Sequence, residues 1–170
     1  MRMSINGSLA ILILLGALAA ASIAAAAPKK PEEPPKPGEE GTILFSDKAT
    51  PKKFKNKKAR MAHFETKNQT EFKLKADEWE IHFQAVLRGK AKAKTLQLYF
   101  IDVTEDPMNE KPQTILQTDA KKNARIIRDK FILDTEDYEA NMRLKLRVMR
   151  VKGRQATLLA EGEFLLKDEN

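Results

Sequence analysis

The sequence predicts an all-β domain built as an antiparallel sandwich. Beyond residue 69 the apolar side chains recur at every second position, the period of a half-buried strand. These runs are short and separated by Pro, Gly and Asp signals. No stretch between them carries the three-to-four-residue apolar spacing of an amphipathic helix.

The elements follow in order along 170 residues. Residues 1–8 carry Arg2, residues 9–21 are a continuous run of Leu, Ile, Ala and one Gly, and residues 22–27 are small. That is the three-part pattern of a secretory signal, read here as 1–26 with Ala24 and Ala26 at the small positions before the cut. The same run spans nearly the roughly 20 residues needed to cross a bilayer, so an uncleaved membrane anchor is the alternative. The weak contribution of alanine to insertion favours cleavage. The expected location is therefore periplasmic or extracellular. Residues 27–41 read as a Pro/Glu/Lys-rich linker, since PKKPEEPPKPGEE has five prolines and no core-forming side chain. Its natural state is polyproline II, about 3.1 Å per residue.

Residues 42–68 read as a basic lead-in to a β domain over 69–170. Within it, residues 48–60 (KATPKKFKNKKAR) hold seven Lys or Arg and no acid. Charge of one sign at this density resists compaction and reads as a solvated loop. It also offers Lys52, Lys53, Lys55, Lys57, Lys58 and Arg60 to a polyanion, with Phe54 available for stacking.

The strands come next. Trp79, Ile81, Phe83, Ala85 and Leu87 alternate with Glu80, His82, Gln84, Val86 and Arg88. Leu96, Leu98 and Phe100 repeat the pattern against Gln97 and Tyr99. Residues 102–112, with Asp106–Pro107 and Lys111–Pro112, break into a loop, and 113–118 form a weaker strand. Ile127, Phe131 and Leu133 share one parity with Asp129, whose charge on that face suggests a bulge or a break. Met142, Leu144, Leu146 and Val148 face in against Arg143, Lys145 and Arg147. The final run turns Leu158, Ala160, Gly162, Phe164 and Leu166 inward, after a tight hairpin at Lys152–Gly153 where glycine supplies the positive φ. Six or seven strands of this kind suit an immunoglobulin-like arrangement, with an open barrel as the alternative. The likeness is architectural only, because the chain has no cysteine and hence no Cys–Trp–Cys signature.

Composition narrows function by exclusion. Without cysteine there are no disulfides, thiolate metal sites or cysteine nucleophiles. There is no Gly-rich phosphate loop and no nucleophile elbow. Glu80 and His82 share an outward parity, but two ligands leave an ordinary metal site incomplete; a small hydrolase using them is the weakest of three functional readings. The acid groups Asp134, Glu136, Asp137 and Asp102, Glu105, Asp106 lack the EF-hand pattern and read as turn formers. Asn68–Gln69–Thr70 matches a glycosylation sequon. No cofactor, metal or small-molecule substrate is expected.

Formal charge is 31 − 24 = +7, or 30 − 24 = +6 without Arg2, which favours anionic partners. Outward Arg143, Lys145 and Arg147 form a positive stripe that Tyr99 joins if its strand lies in the same sheet, and Lys90, Lys92 and Lys94 form a second exposed trio. The leading expectation is an exported, non-catalytic binding or structural module with a protein partner in the envelope or outside the cell. The alternative is a binder of anionic lipid, polysaccharide or nucleic acid through residues 48–60 and the Arg143–Lys145–Arg147 stripe.

Overall fold

The computed structural model describes residues 35–169. The expected export segment and residues 27–34 of the expected linker lie outside that range. Eight strands and one helix follow in the order β1 (Thr42–Ser46), α1 (Lys57–Lys67), β2 (Glu71–Lys73), β3 (Glu78–Val86), β4 (Thr95–Asp102), β5 (Thr114–Asp119), β6 (Ile126–Asp134), β7 (Arg143–Lys152) and β8 (Gln155–Lys167). Strands make up 47% of the described residues, so the all-β expectation holds.

The strands form one ladder, β5-β4-β7-β8-β1-β3-β6, with β2 also paired to β8. The pairings are antiparallel except β1 with β8 and β2 with β8. This continuous sheet curls until it is nearly closed and barrel-like. It does not divide into the two sheets that an immunoglobulin-like sandwich requires, and the barrel alternative fits it better. The ends of the ladder, β5 and β6, approach through a side-chain contact: Thr118 Oγ1 donates to Asp129 Oδ2 at 2.6 Å. Asp129 therefore causes no bulge. β6 pairs with β3 in unbroken register, and the carboxylate on its inward parity meets a buried hydroxyl at the seam.

Inside, the alternating side chains interlock around the aromatics. Phe164 lies 4.9 Å from Phe45 and 5.8 Å from Phe131, which meets Phe100 edge-on at 4.9 Å. Tilted and edge-on pairs of this kind place the positive ring edge near a negative face. Trp79, Ile81, Phe83, Leu96, Leu98, Leu144, Leu146 and Val148 complete one contiguous core with them. Each fully buried Phe or Leu contributes about 1.5–3 kcal/mol relative to exposure.

Three departures from the sequence reading have local causes. Residues 42–68 are part of the sheet and its cover: β1 is buried at every position and sits between β8 and β3. A strand buried on both faces shows no alternation, which hid it. α1 exists despite its charge because Asn56 caps it, the side chain accepting from the Ala59 N–H at 2.8 Å. Its Phe64 packs on Leu44 and Val86, forming a second small core outside the sheet. Gly38, within the expected linker, is buried, and a Cβ there would lie 3.1 Å from the Met61 backbone. Finally, β7 and β8 slip register between Val148 and Met149, so that Val148 faces Ala160 while Met149 faces Leu158. Leu159 is the extra residue; it is buried, and Leu158 is only partly so. The hairpin itself forms as expected, with Gly153 at φ +58° between paired Lys152 and Gln155.

Candidate functional site

The two groups of cations singled out in the sequence differ in their electrostatic surroundings. Arg143, Lys145 and Arg147 do project outward from β7, and Tyr99 stands beside Arg147 across the β4–β7 ladder. The neighbouring β8 places Glu163 opposite Lys145 and Glu161 opposite Arg147. Lys145 Nζ lies 3.4 Å from Glu163 Oε1, and Arg147 Nε lies 3.2 Å from Glu161 Oε2. The loop between β4 and β5 then folds over this face. Its Glu110 takes both terminal nitrogens of Arg147, and its Pro107 carbonyl accepts from Lys145. The Glu110 hydrogen bonds hold the Arg147 pKa above its ordinary value, and Arg147 holds the Glu110 carboxyl below its own. Only 13% of the Lys145 side chain and 17% of that of Arg147 remain exposed. Cross-strand pairing of opposite charge stabilises the sheet and leaves little free positive potential there. Arg143 alone of the three is exposed.

Residues 48–60 behave differently. Lys52, Lys53 and Lys55 are exposed on the loop leading to α1, and Lys57 and Lys58 are exposed on its first turn. None of them forms an ion pair among the described residues. No acid occupies the first helical turn. Lys57 and Lys58 therefore stand at the positive end of the helix dipole, an arrangement that costs about 0.3–1 kcal/mol per charge. Phe54 is half-buried against His63, with ring centroids 5.2 Å apart, so it braces the loop against α1. Burial, then Lys67, lower the His63 pKa.

Arg60 is half-buried, and it approaches Arg128 of β6, a residue the sequence reading did not select. Burial, followed by the Arg60 charge, holds the Arg128 pKa below the ordinary guanidinium value. Arg128 Nε donates to Oε1 of the fully buried Gln84 at 2.6 Å. Its outward parity on β6 was readable; its closeness to Arg60 was not, because the two come from different elements.

The remaining candidates resolve into local structure. His82 Nε2 lies 3.2 Å from Glu80 Oε1, but Lys130 Nζ reaches the same oxygen at 3.1 Å. Hydrogen bonding to Lys130 is the main cause of the lowered Glu80 pKa. Among the described residues no group of three or more His, Cys, Asp or Glu is placed to hold a metal. Asp134 Oδ1 accepts the Glu136 and Asp137 amides, Asp102 that of Thr104, and Asp106 that of Met108, so these acids shape turns. Asn68 Oδ1 accepts from the Phe45 N–H at 3.0 Å, tying the end of α1 to β1. Lys90, Lys92 and Lys94 lie exposed in the β3–β4 loop around buried Ala91. No described helix is long and apolar enough to cross a membrane.

No protein-family model matches the chain, and neither does any curated protein or solved structure.

Proposed function

We propose that the folded domain is a non-catalytic binding module of the cell envelope or extracellular space, and that it grips a linear acidic polymer through residues 48–60. One observation carries this reading: the five lysines from Lys52 to Lys58, on the loop before α1 and on its first turn, are exposed and form no ion pair among the described residues. Unfavourable self-energy of that kind is relieved when an anionic chain neutralises it and releases its counterions. A soluble polymer suits the patch better than a bilayer. The large exposed apolar side chains among the described residues are Met108, Ile115, Leu116, Ile132 and Val151, all outside residues 48–60. Surface helices that enter a membrane need an apolar face, whereas Phe64 of α1 is spent on the sheet.

The test is retention on a sulfated polysaccharide, on single-stranded nucleic acid and on anionic vesicles across a salt series. Affinity for the polymers falls linearly in log salt, and the slope drops by about one for each contacting lysine changed to Gln. Converting Arg143 and Lys145 to Gln leaves retention unchanged. Equal loss from both sets, or binding confined to vesicles, overturns the reading.

A protein partner is the second reading, favoured by the edge of the ladder. β5 pairs only with β4, and it exposes 49% of Ile115 and 37% of Leu116. An extended segment of a partner fits such an edge by strand addition. Crosslinking through position 115 that captures one discrete partner in a salt-tolerant complex supports it; the absence of any adduct counts against it.

A further inference from the structure

The hairpin that joins β2 to β3 zips for one step and then opens. Lys75 and Glu78 exchange both backbone hydrogen bonds, at 2.9 and 3.0 Å. The next pair in that register, Lys73 with Glu80, does not form: β2 pairs with β8 alone, and the β1–β3 ladder ends at Ser46 with His82. The Leu165 N–H donates to the Thr70 carbonyl and the Leu74 N–H to that of Lys167. Alternate residues of β2 therefore face β8, while Glu71 and Lys73 turn their amides and carbonyls toward the gap. Glu80, two residues after Glu78, turns its own toward them. Between these edges lies a cavity of about 680 Å³. Buried Phe72 borders it, with its ring edge-on to Phe164 at 6.0 Å, so the cavity backs on to the core. The Lys75–Glu78 pair closes one end, and the Asp47 N–H, which donates to Gln69 Oε1 at 2.7 Å, closes the other.

Charge around this cavity is mixed and has a direction. Asp47 and Glu71 lie toward the Gln69 end; Lys73 and its β8 partner Lys167 lie toward the turn, with Lys75 and Glu78. Among the described residues none of these six side chains forms an ion pair. Glu80, also on the lining, is already engaged by Lys130 and His82. Carboxylates at one end and ammonium groups at the other suit a ligand that carries both signs at its two ends. The unpaired edges of β2 and β3 add a demand for peptide groups, since a strand edge takes up an extended chain through main-chain hydrogen bonds. A single amino acid has no internal peptide group, and a through-running strand is stopped at both closed ends. From Glu71 to Lys73 the edge spans about 7 Å, the reach of an extended tripeptide from its first to its third Cα. We propose that this window binds a short free peptide of about three residues, laid between β2 and β3, with its ammonium end at Asp47 and Glu71 and its carboxylate at Lys73, Lys75 and Lys167. The proposal goes beyond the polymer reading and does not rest on it, because no residue of 48–60 lines the cavity.

The experiment titrates the full chain with trialanine, a sufficient probe because the recognition is of main chain and termini. Calorimetry and the backbone amide resonances of Glu71, Lys73 and Glu80 report binding. Saturable one-to-one binding with a dissociation constant of about 1 mM or tighter is expected, together with shifts of those three amides. Acetylating the peptide's amino end, or amidating its carboxyl end, weakens binding by about tenfold or more, and free alanine binds more weakly by at least as much. Two double variants, Asp47→Asn with Glu71→Gln and Lys73→Gln with Lys75→Gln, change only exposed side chains and so keep the fold. Each weakens trialanine by about tenfold or more. Changing Lys52, Lys53, Lys55, Lys57 and Lys58 to Gln alters it by less than about threefold. No saturable binding in the unaltered protein, or no response of the three amides, overturns the site without the help of any variant. Equal binding of the doubly capped peptide or of free alanine, or binding that survives both double variants, also overturns it. Polymer retention without trialanine binding leaves the polymer reading standing and removes the site; the converse result keeps the site and removes that reading.

Discussion

Gly162 shows how one residue answers to a distant neighbour. Its inward parity on β8 was legible in the alternation, but the need for glycine arises from β1, because a Cβ there would lie 2.8 Å from the Phe45 ring and 3.1 Å from Ile43. Gly162→Ala therefore loses about 1–3 kcal/mol by overpacking. In urea its midpoint falls while the slope of the transition stays the same. Glu110 makes the matching point for charge. Its folded pKa is lowered, first by hydrogen bonding to Arg147, so its stabilising contribution is present in full above the ordinary Glu range of about 4.3 and fades as pH falls below it. Amide exchange in residues 103–113, corrected for intrinsic rates, is expected to accelerate relative to β4 below about pH 4. Glu110→Gln removes that pH dependence, and a loop that stays equally protected in the unaltered protein would refute it.

Among the elements, α1 places stability and binding in opposition. Lys57→Glu and Lys58→Glu put favourable charge at the helix N-terminus and each stabilise the domain by about 0.3–1 kcal/mol. The same changes weaken polymer retention. Thermal unfolding and retention measured on one set of variants check the pair, and variants that lose stability along with binding would remove the dipole argument. The Asn56 cap was present in the text of the sequence, but the dense positive charge around it reads as loop until Phe64 is seen to have Leu44 and Val86 to pack on. Similarly, Leu158 was placed inward by strict alternation, whereas the extra residue opposite Val148 and Met149 buries Leu159 instead. A bulge needs two strands to define it, and one strand's pattern holds no record of its partner's register.

Closure is a property of the whole molecule. The ladder ends at β5 and β6, and the Thr118–Asp129 hydrogen bond at 2.6 Å links its two open edges. Thr118→Val keeps the volume and deletes the donor, leaving the carboxylate with one fewer partner; a loss of about 1–3 kcal/mol is expected. Hydrogen exchange should rise along β5 and β6 and stay unchanged in β7 and β8. Uniform loss of protection across all strands would show that the seam has no separate role.

Local alternation was enough to establish the β class, the inward faces of β3, β4 and β7, the β7–β8 hairpin and the exposure of the lysines before α1. Each of these depends on the period of side chains along a single strand or on charge density in a single segment, and both are written in consecutive residues. Whether the sheet splits or curls closed, that β1 runs through its middle, that acids on β8 and the β4–β5 loop pair with Lys145 and Arg147, and that Arg128 donates to the buried Gln84 all depend on pairing between segments far apart in the chain. Such pairings are selected by the packing of the complete core, so no single segment encodes them.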